Sequence, residues 1–129
     1  MENSQPKNIW IIDTTLRDGE QSPGVYFKAR ARVDLAKMLA GAGVHELEAG
    51  IPAMGETARN DLRNIIRLGL DCRITGWCRA DITDIELAEQ CGLNSVQISF
   101  PVSKRQLNSF GKKEAWVLKS IEEIMPCMR

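Results

Sequence analysis

DTTLRDGEQSPG, residues 13–24, follows the apolar run Ile9-Trp10-Ile11-Ile12 and reverses the character of the chain at once. The run has the length and β-branched content of a buried strand. After it come Asp13, Asp18 and Glu20, with Arg17, Gln21, two threonines and a serine among them. Arg17 and Asp18 stand directly after the apolar Leu16 rather than inside a solvated charge run, and Ser22-Pro23-Gly24 closes the segment with turn chemistry. A strand whose carboxyl end opens into acid, base and amide groups is where α/β folds keep their active sites. The segment reads as a catalytic loop.

Working outward, Phe27, Ala31, Leu35, Met38, Leu39 and Ala42 form one helical stripe, and Arg30, Arg32, Asp34 and Lys37 read as its solvated face. A strand is expected over 44–51, with Glu48 near its carboxyl end. Pro52 and Gly55 make a turn, and Ala58, Leu62, Ile65 and Ile66 mark a second helix. A third strand over 72–78 runs into Trp77-Cys78-Arg79. The third helix starts near Asp81 or Thr83, where Thr83 and Glu86 have capping-box spacing and Ile82, Ile85 and Ala88 line the buried side. A fourth strand over 94–100 precedes a polar loop and a last helix carrying Val117, Ile121, Ile124 and Met125, broken by Pro126.

Three of these helices close with glycine, an aliphatic residue and a polar one: Gly43-Val44-His45, Gly69-Leu70-Asp71 and Gly92-Leu93-Asn94. That is the αβ turn of a repeating βα unit, which implies a parallel sheet. Four such units are legible in 129 residues. A closed (βα)8 TIM barrel takes about 250 residues, so residues 9–129 are expected to form about the first four units of one, behind a disordered tail over 1–8.

Composition is that of an ordinary soluble α/β domain: 43% hydrophobic and 26% charged. Lys+Arg and Asp+Glu both total 17, so no net field invites nucleic acid or an anionic membrane surface. No apolar run approaches the roughly 20 residues of a membrane span, and the polar MENSQPKN lacks the apolar centre of a secretory signal. A cytoplasmic location is expected. The cysteines at 72, 78, 91 and 127 lack CxxC or zinc spacing and read as reduced thiols.

In a βα repeat the carboxyl ends of strands carry chemistry and the amino ends carry stability. Asp13, Arg17, Asp18, Glu48, Arg79 and Ser99 fall at or just past carboxyl ends, whereas His45, the only histidine, falls at an amino end and reads as structural. Asp18 is the metal candidate, because a hard carboxylate suits Mg²⁺, Mn²⁺ or Zn²⁺; one carboxylate does not make a site.

DTTLRDGEQSPG also resembles the first-strand signature of the DRE-TIM metallolyases, a family of isopropylmalate, homocitrate and citramalate synthases and hydroxymethylglutaryl-CoA lyase. GIPAMGE at 50–56, WCR at 77–79 and SFPVS at 99–103 are most similar to its nitrogenase-associated homocitrate synthase branch, which links the chain to nitrogen fixation. The resemblance implies a Claisen condensation of acetyl-CoA with 2-oxoglutarate at a divalent metal, giving homocitrate and CoA. It implies Arg17 as donor to the oxygen that turns anionic during attack; a structural ion pair with Asp13 or Glu48 is the competing reading. Glu48 resembles the family's second-strand glutamate, which orders water or partners Arg17. Gln21 resembles a glutamine near the keto acid. Arg79 stands where lysine-pathway enzymes carry a histidine for the distal carboxylate, with a surface arginine capping the third strand as the alternative. Ser99 is a weaker substrate contact. The family's H-x-H ligand pair is missing from this chain. A complementing C-terminal half or second subunit is therefore expected. The rivals are an isopropylmalate or citramalate synthase-type enzyme and a non-catalytic half-barrel.

Overall fold

The computed structural model describes residues 9–128; the expected tail over 1–8 lies outside them. Four parallel strands, β1 (Ile12–Asp13), β2 (Glu46–Gly50), β3 (Arg73–Arg79) and β4 (Val96–Ser99), lie side by side in chain order. Three crossover helices join them: α1 (Ala29–Gly41), α2 (Glu56–Ile66) and α3 (Ile82–Gln90). After β4 come α4 (Lys104–Ser109) and α5 (Glu114–Ile124).

Right-handed crossovers between strands in consecutive order put every helix on the same face of the sheet. A doubly wound sheet would reverse its strand order at a switch point, and this sheet never reverses. It is the first four βα units of a (βα)8 barrel.

Alternation along the strands sorts the two faces. Leu47 and Ala49 of β2 point at the helices and pack with Leu16, Ala36, Leu62 and Ile65. Cys78 of β3 joins Ile85, Ala88 and Ile124, with Val96 and Ile98 of β4 against them. Burial pushes the Cys78 thiol up to about 12, which makes it a packing group and not a nucleophile. The opposite face, which would line the barrel, is polar. There Glu46 accepts from Thr75 Oγ1 at 2.6 Å and from Trp10 Nε1 at 3.0 Å.

Several local expectations need correction. The apolar run 9–12 is exposed, and its ladder begins only at Ile12, because β1 pairs with β2 on one side alone and is an edge strand. Arg32, read as a solvated residue, is buried in α1. Met38 and Ile82, placed on buried stripes, are exposed. Asp81, not Thr83, caps α3: its Oδ1 accepts Thr83 N at 2.8 Å. The loop after β4 contains α4, capped by Ser103 through Gln106 N, and Pro126 lies in a 3₁₀ turn over Met125–Met128.

His45 works at the amino end of β2. Its Nδ1 accepts Ile11 N at 3.0 Å and its ring stacks on Trp10 with centroids 5.0 Å apart. The recurrent glycine turns adopt the left-handed backbone that a side chain resists, with φ of +88°, +60° and +85° at Gly43, Gly69 and Gly92.

Candidate active site

The loop after β1 folds on itself through short-range bonds. Asp13 accepts Thr15 N at 2.9 Å and Thr15 Oγ1 at 3.1 Å, which commits its carboxylate to the turn. The Thr14 carbonyl accepts from the amides of Arg17, Asp18 and Gly19 at 3.1, 2.8 and 3.2 Å. With Asp13 occupied, Arg17 reaches across to the next strand.

Arg17 Nη2 donates to Glu48 Oε2 at 2.8 Å, and Arg17 Nη1 donates to Asp18 Oδ1 at 3.0 Å. The three groups differ sharply in exposure: the side chains of Glu48, Arg17 and Asp18 are 0%, 16% and 65% accessible. One cation thus bridges a buried carboxylate and a solvent-facing one. Two buried polar atoms at this junction have no partner, Arg17 Nε and Glu48 Oε1. Buried donors and acceptors are almost always satisfied, so two unpaired ones side by side set this junction apart from the rest of the interior. The Arg17 guanidinium carbon also lies 5.7 Å from the centroid of the Trp77 ring, which restricts the fork on a third side.

Trp77 escaped the sequence reading as a site residue. The available signal was alternation: residues 73, 75, 77 and 79 share one face of β3, and Thr75 bonds Glu46 on that face.

Arg79 and Ser99 are register partners at the carboxyl ends of β3 and β4. Arg79 does not present a free fork. Its Nε and Nη2 donate to Asp84 at 2.9 and 2.7 Å, and its backbone amide donates to the same carboxylate at 3.0 Å. Asp84 is 1% accessible whereas Arg79 is 66% accessible, so a surface arginine neutralises a buried acid. The hydrogen bonds from Arg79 hold the Asp84 carboxyl below its usual range, against the burial that pushes it up. A carboxylate depressed in the folded state adds stability above its unfolded value of about 3.9 and loses it as pH falls through the folded value. Arg79→Ala is therefore expected to cost about 1–3 kcal/mol near neutrality, less than a fully buried pair would, because half the pair faces water. Thermal melts of both proteins at pH 7 and pH 3 check this: the gap should narrow in acid, and a constant gap contradicts it.

Gln21 sits apart from both groups, exposed at the end of the Gly19–Gln21 3₁₀ turn. It lines a cleft of about 330 Å³ shared with Arg17, Glu20, Arg32 and Met54. The structure thus joins Arg17, Asp18 and Glu48 in one cluster, sets Arg79 and Ser99 in a second, and leaves Gln21 on the cleft.

Among the described residues no three His, Cys, Asp or Glu side chains converge to hold an ion. Asp18, exposed and with one oxygen engaged by Arg17, fits a divalent cation as a single hard ligand of a set that these residues do not complete.

The fold is that of the first four βα units of a (βα)8 barrel, with a polar cluster at the carboxyl ends of its first strands. The chain matches the HMGL-like family over residues 8–129 and belongs to it. It is 50% identical over 109 residues to a homocitrate synthase of Frankia alni, covering 84% of this chain and 31% of that protein. A homocitrate synthase subunit alpha of Clostridium pasteurianum is 41% identical over 115 residues, 88% of this chain and 43% of its own length. A 2-isopropylmalate synthase of Caldanaerobacter subterraneus is 38% identical over 124 residues, 95% of this chain and 32% of that protein. The chain therefore spans 31% to 43% of the length of these relatives. No helix among the described residues is long and apolar enough to cross a membrane.

Proposed function

We infer that this chain is the N-terminal half of the catalytic barrel of a homocitrate synthase-type acyltransferase, which joins acetyl-CoA to 2-oxoglutarate and, as water hydrolyses the resulting thioester, releases homocitrate and CoA. The observation that carries the reading is the Arg17 fork, held between buried Glu48 and exposed Asp18 at the mouth of the sheet. The names of the relatives supply the reaction class.

A Mg²⁺, Mn²⁺ or Zn²⁺ ion held in part by Asp18 would polarise the ketone as a Lewis acid. The chain's own groups account for the rest. As a carbon–carbon bond forms at the ketone, its oxygen gains charge. The Arg17 guanidinium, already fixed by two carboxylates and an indole ring, is a cation that stabilises that charge without reorganising. Glu48 keeps the fork charged and aimed. Its side chain is fully buried, so it acts on the reaction through Arg17. Gln21 and Ser99 offer polar contacts at the rim. The base for acetyl-CoA and the remaining metal ligands belong to a complementing C-terminal half or second subunit. A polypeptide limited to these residues should be inert and bind metal weakly. The enzyme is read as cytoplasmic and as serving nitrogen fixation.

One observation favours an isopropylmalate synthase-type substrate instead. Arg79, the residue assigned to the distal carboxylate of 2-oxoglutarate, already spends two donors on Asp84. A panel of 2-oxo acids with acetyl-CoA on the complete enzyme decides between them. The homocitrate reading expects the highest kcat/KM with 2-oxoglutarate, and expects Arg79→Ala to weaken that substrate selectively. A higher value with 2-oxoisovalerate would move the assignment to the second reading.

A further inference from the structure

Arg32 is the most deeply buried cation among the described residues, 5% accessible in the second turn of α1. A charge so placed is costly unless every donor has a purpose. Its carboxylate partners are Glu20 and Asp61, the latter 3.7 Å from an Nε that makes no hydrogen bond. Its Nη2 goes to main chain instead: it donates to the Leu16 carbonyl at 3.1 Å and to the Ala49 carbonyl at 2.6 Å.

Those two carbonyls are not arbitrary. Leu16 immediately precedes Arg17, and Ala49 immediately follows Glu48. Ala49 is also where the β2–β3 register slips, with Glu48 paired to Thr75 but Gly50 paired to Gly76. A bulge leaves a residue out of the ladder and re-aims its neighbours, and here the freed carbonyl is taken by Arg32. Gly50 completes the fit. A Cβ on Gly50 would lie 3.3 Å from Arg32 Nη2 and 3.5 Å from Leu62 Cδ2, so only glycine lets the guanidinium approach this closely.

We propose that Arg32 is a positioning residue that locks the Arg17 loop and the Glu48 bulge into one register. Both are clamped by the same nitrogen, so the 2.8 Å contact between Arg17 and Glu48 is set from behind the sheet. Arg32 makes no hydrogen bond to Arg17 or Glu48 themselves; its donors go to Glu20 and to the two neighbouring carbonyls. This inference rests on the reading of Arg17 and Glu48 as the reacting pair.

The test uses the complete enzyme and compares Arg32→Met, which keeps the length and loses the donors, with Arg17→Ala as reference. Displacing a catalytic group by about an ångström can cost on the order of a hundredfold in rate. Folded Arg32→Met should therefore lose about that much in kcat, with KM little changed, and Arg32→Lys should recover part of it. A purely structural role would lower the yield of folded protein and leave kcat per folded molecule intact; that result overturns the proposal. If Arg32→Met does not fold, Glu20→Gln removes the carboxylate that anchors the guanidinium and should reduce kcat in the same direction. An unchanged kcat in folded Glu20→Gln would then reject the clamp. Full activity in Arg17→Ala would instead remove the reading on which the clamp rests, whatever Arg32→Met does.

Discussion

Arg17→Ala is expected to lower kcat of the complete enzyme by about 10²–10³-fold, the usual consequence of removing one preorganised donor to developing negative charge. The same substitution strands Glu48. That side chain is fully buried, and Arg17 is its one ion-pair partner among the described residues. Leaving a buried charge unpaired costs about 3–5 kcal/mol, so Arg17→Ala should also be markedly less stable to urea. Arg17→Ala combined with Glu48→Gln separates the two effects, because the neutral amide needs no counter-ion. The double variant should regain most of the stability and none of the rate. Recovery of rate together with stability would show that the Arg17–Glu48 contact is a structural ion pair and nothing more.

Asp18→Ala should behave in the opposite way. The side chain is 65% accessible, and its contact with Arg17 is a surface pair worth about 0–1 kcal/mol. The fold should not notice its loss. Activity should, because a metal that polarises a ketone supplies several kcal/mol, and each 1.36 kcal/mol is about tenfold in rate. A drop of about a thousandfold or more is expected, accompanied by weaker Mn²⁺ binding in a titration. Normal turnover at limiting metal would exclude Asp18 as a ligand.

The contrast between these residues shows what the sequence could carry. The repeat of glycine-terminated helices and short apolar strands was enough for the parallel order, because each βα unit is a local pattern with its own punctuation. The carboxyl-end rule then picked Asp13, Arg17, Asp18, Glu48, Arg79 and Ser99, of which the fold joins Arg17, Asp18 and Glu48 in one cluster. It left Arg17 open between catalysis and a bond to Asp13 or Glu48. Only the fold showed Asp13 spent on Thr15 and Arg17 turned to Glu48.

What stayed hidden depends on contacts between distant residues. Arg32 has the helical phase of a residue beside the buried stripe, and nothing local says that its guanidinium ends under two carbonyls 16 and 17 residues away. Asp84 reads as one more acid in the first turn of α3, although it fills the fork that sequence assigned to substrate. The exposed run 9–12 was legible as a strand from its own residues, and as an edge only once four units of a barrel were counted, since edge status belongs to the sheet as a whole.

The most direct test of the Arg17–Asp18–Glu48 site is the initial rate of thiol release from acetyl-CoA by the complete enzyme, with and without 2-oxoglutarate. The site described above predicts release that requires the keto acid, yields one CoA per homocitrate, and disappears in both Arg17→Ala and Asp18→Ala. Release that runs equally well without a keto acid, or that survives both substitutions in folded protein, would contradict it.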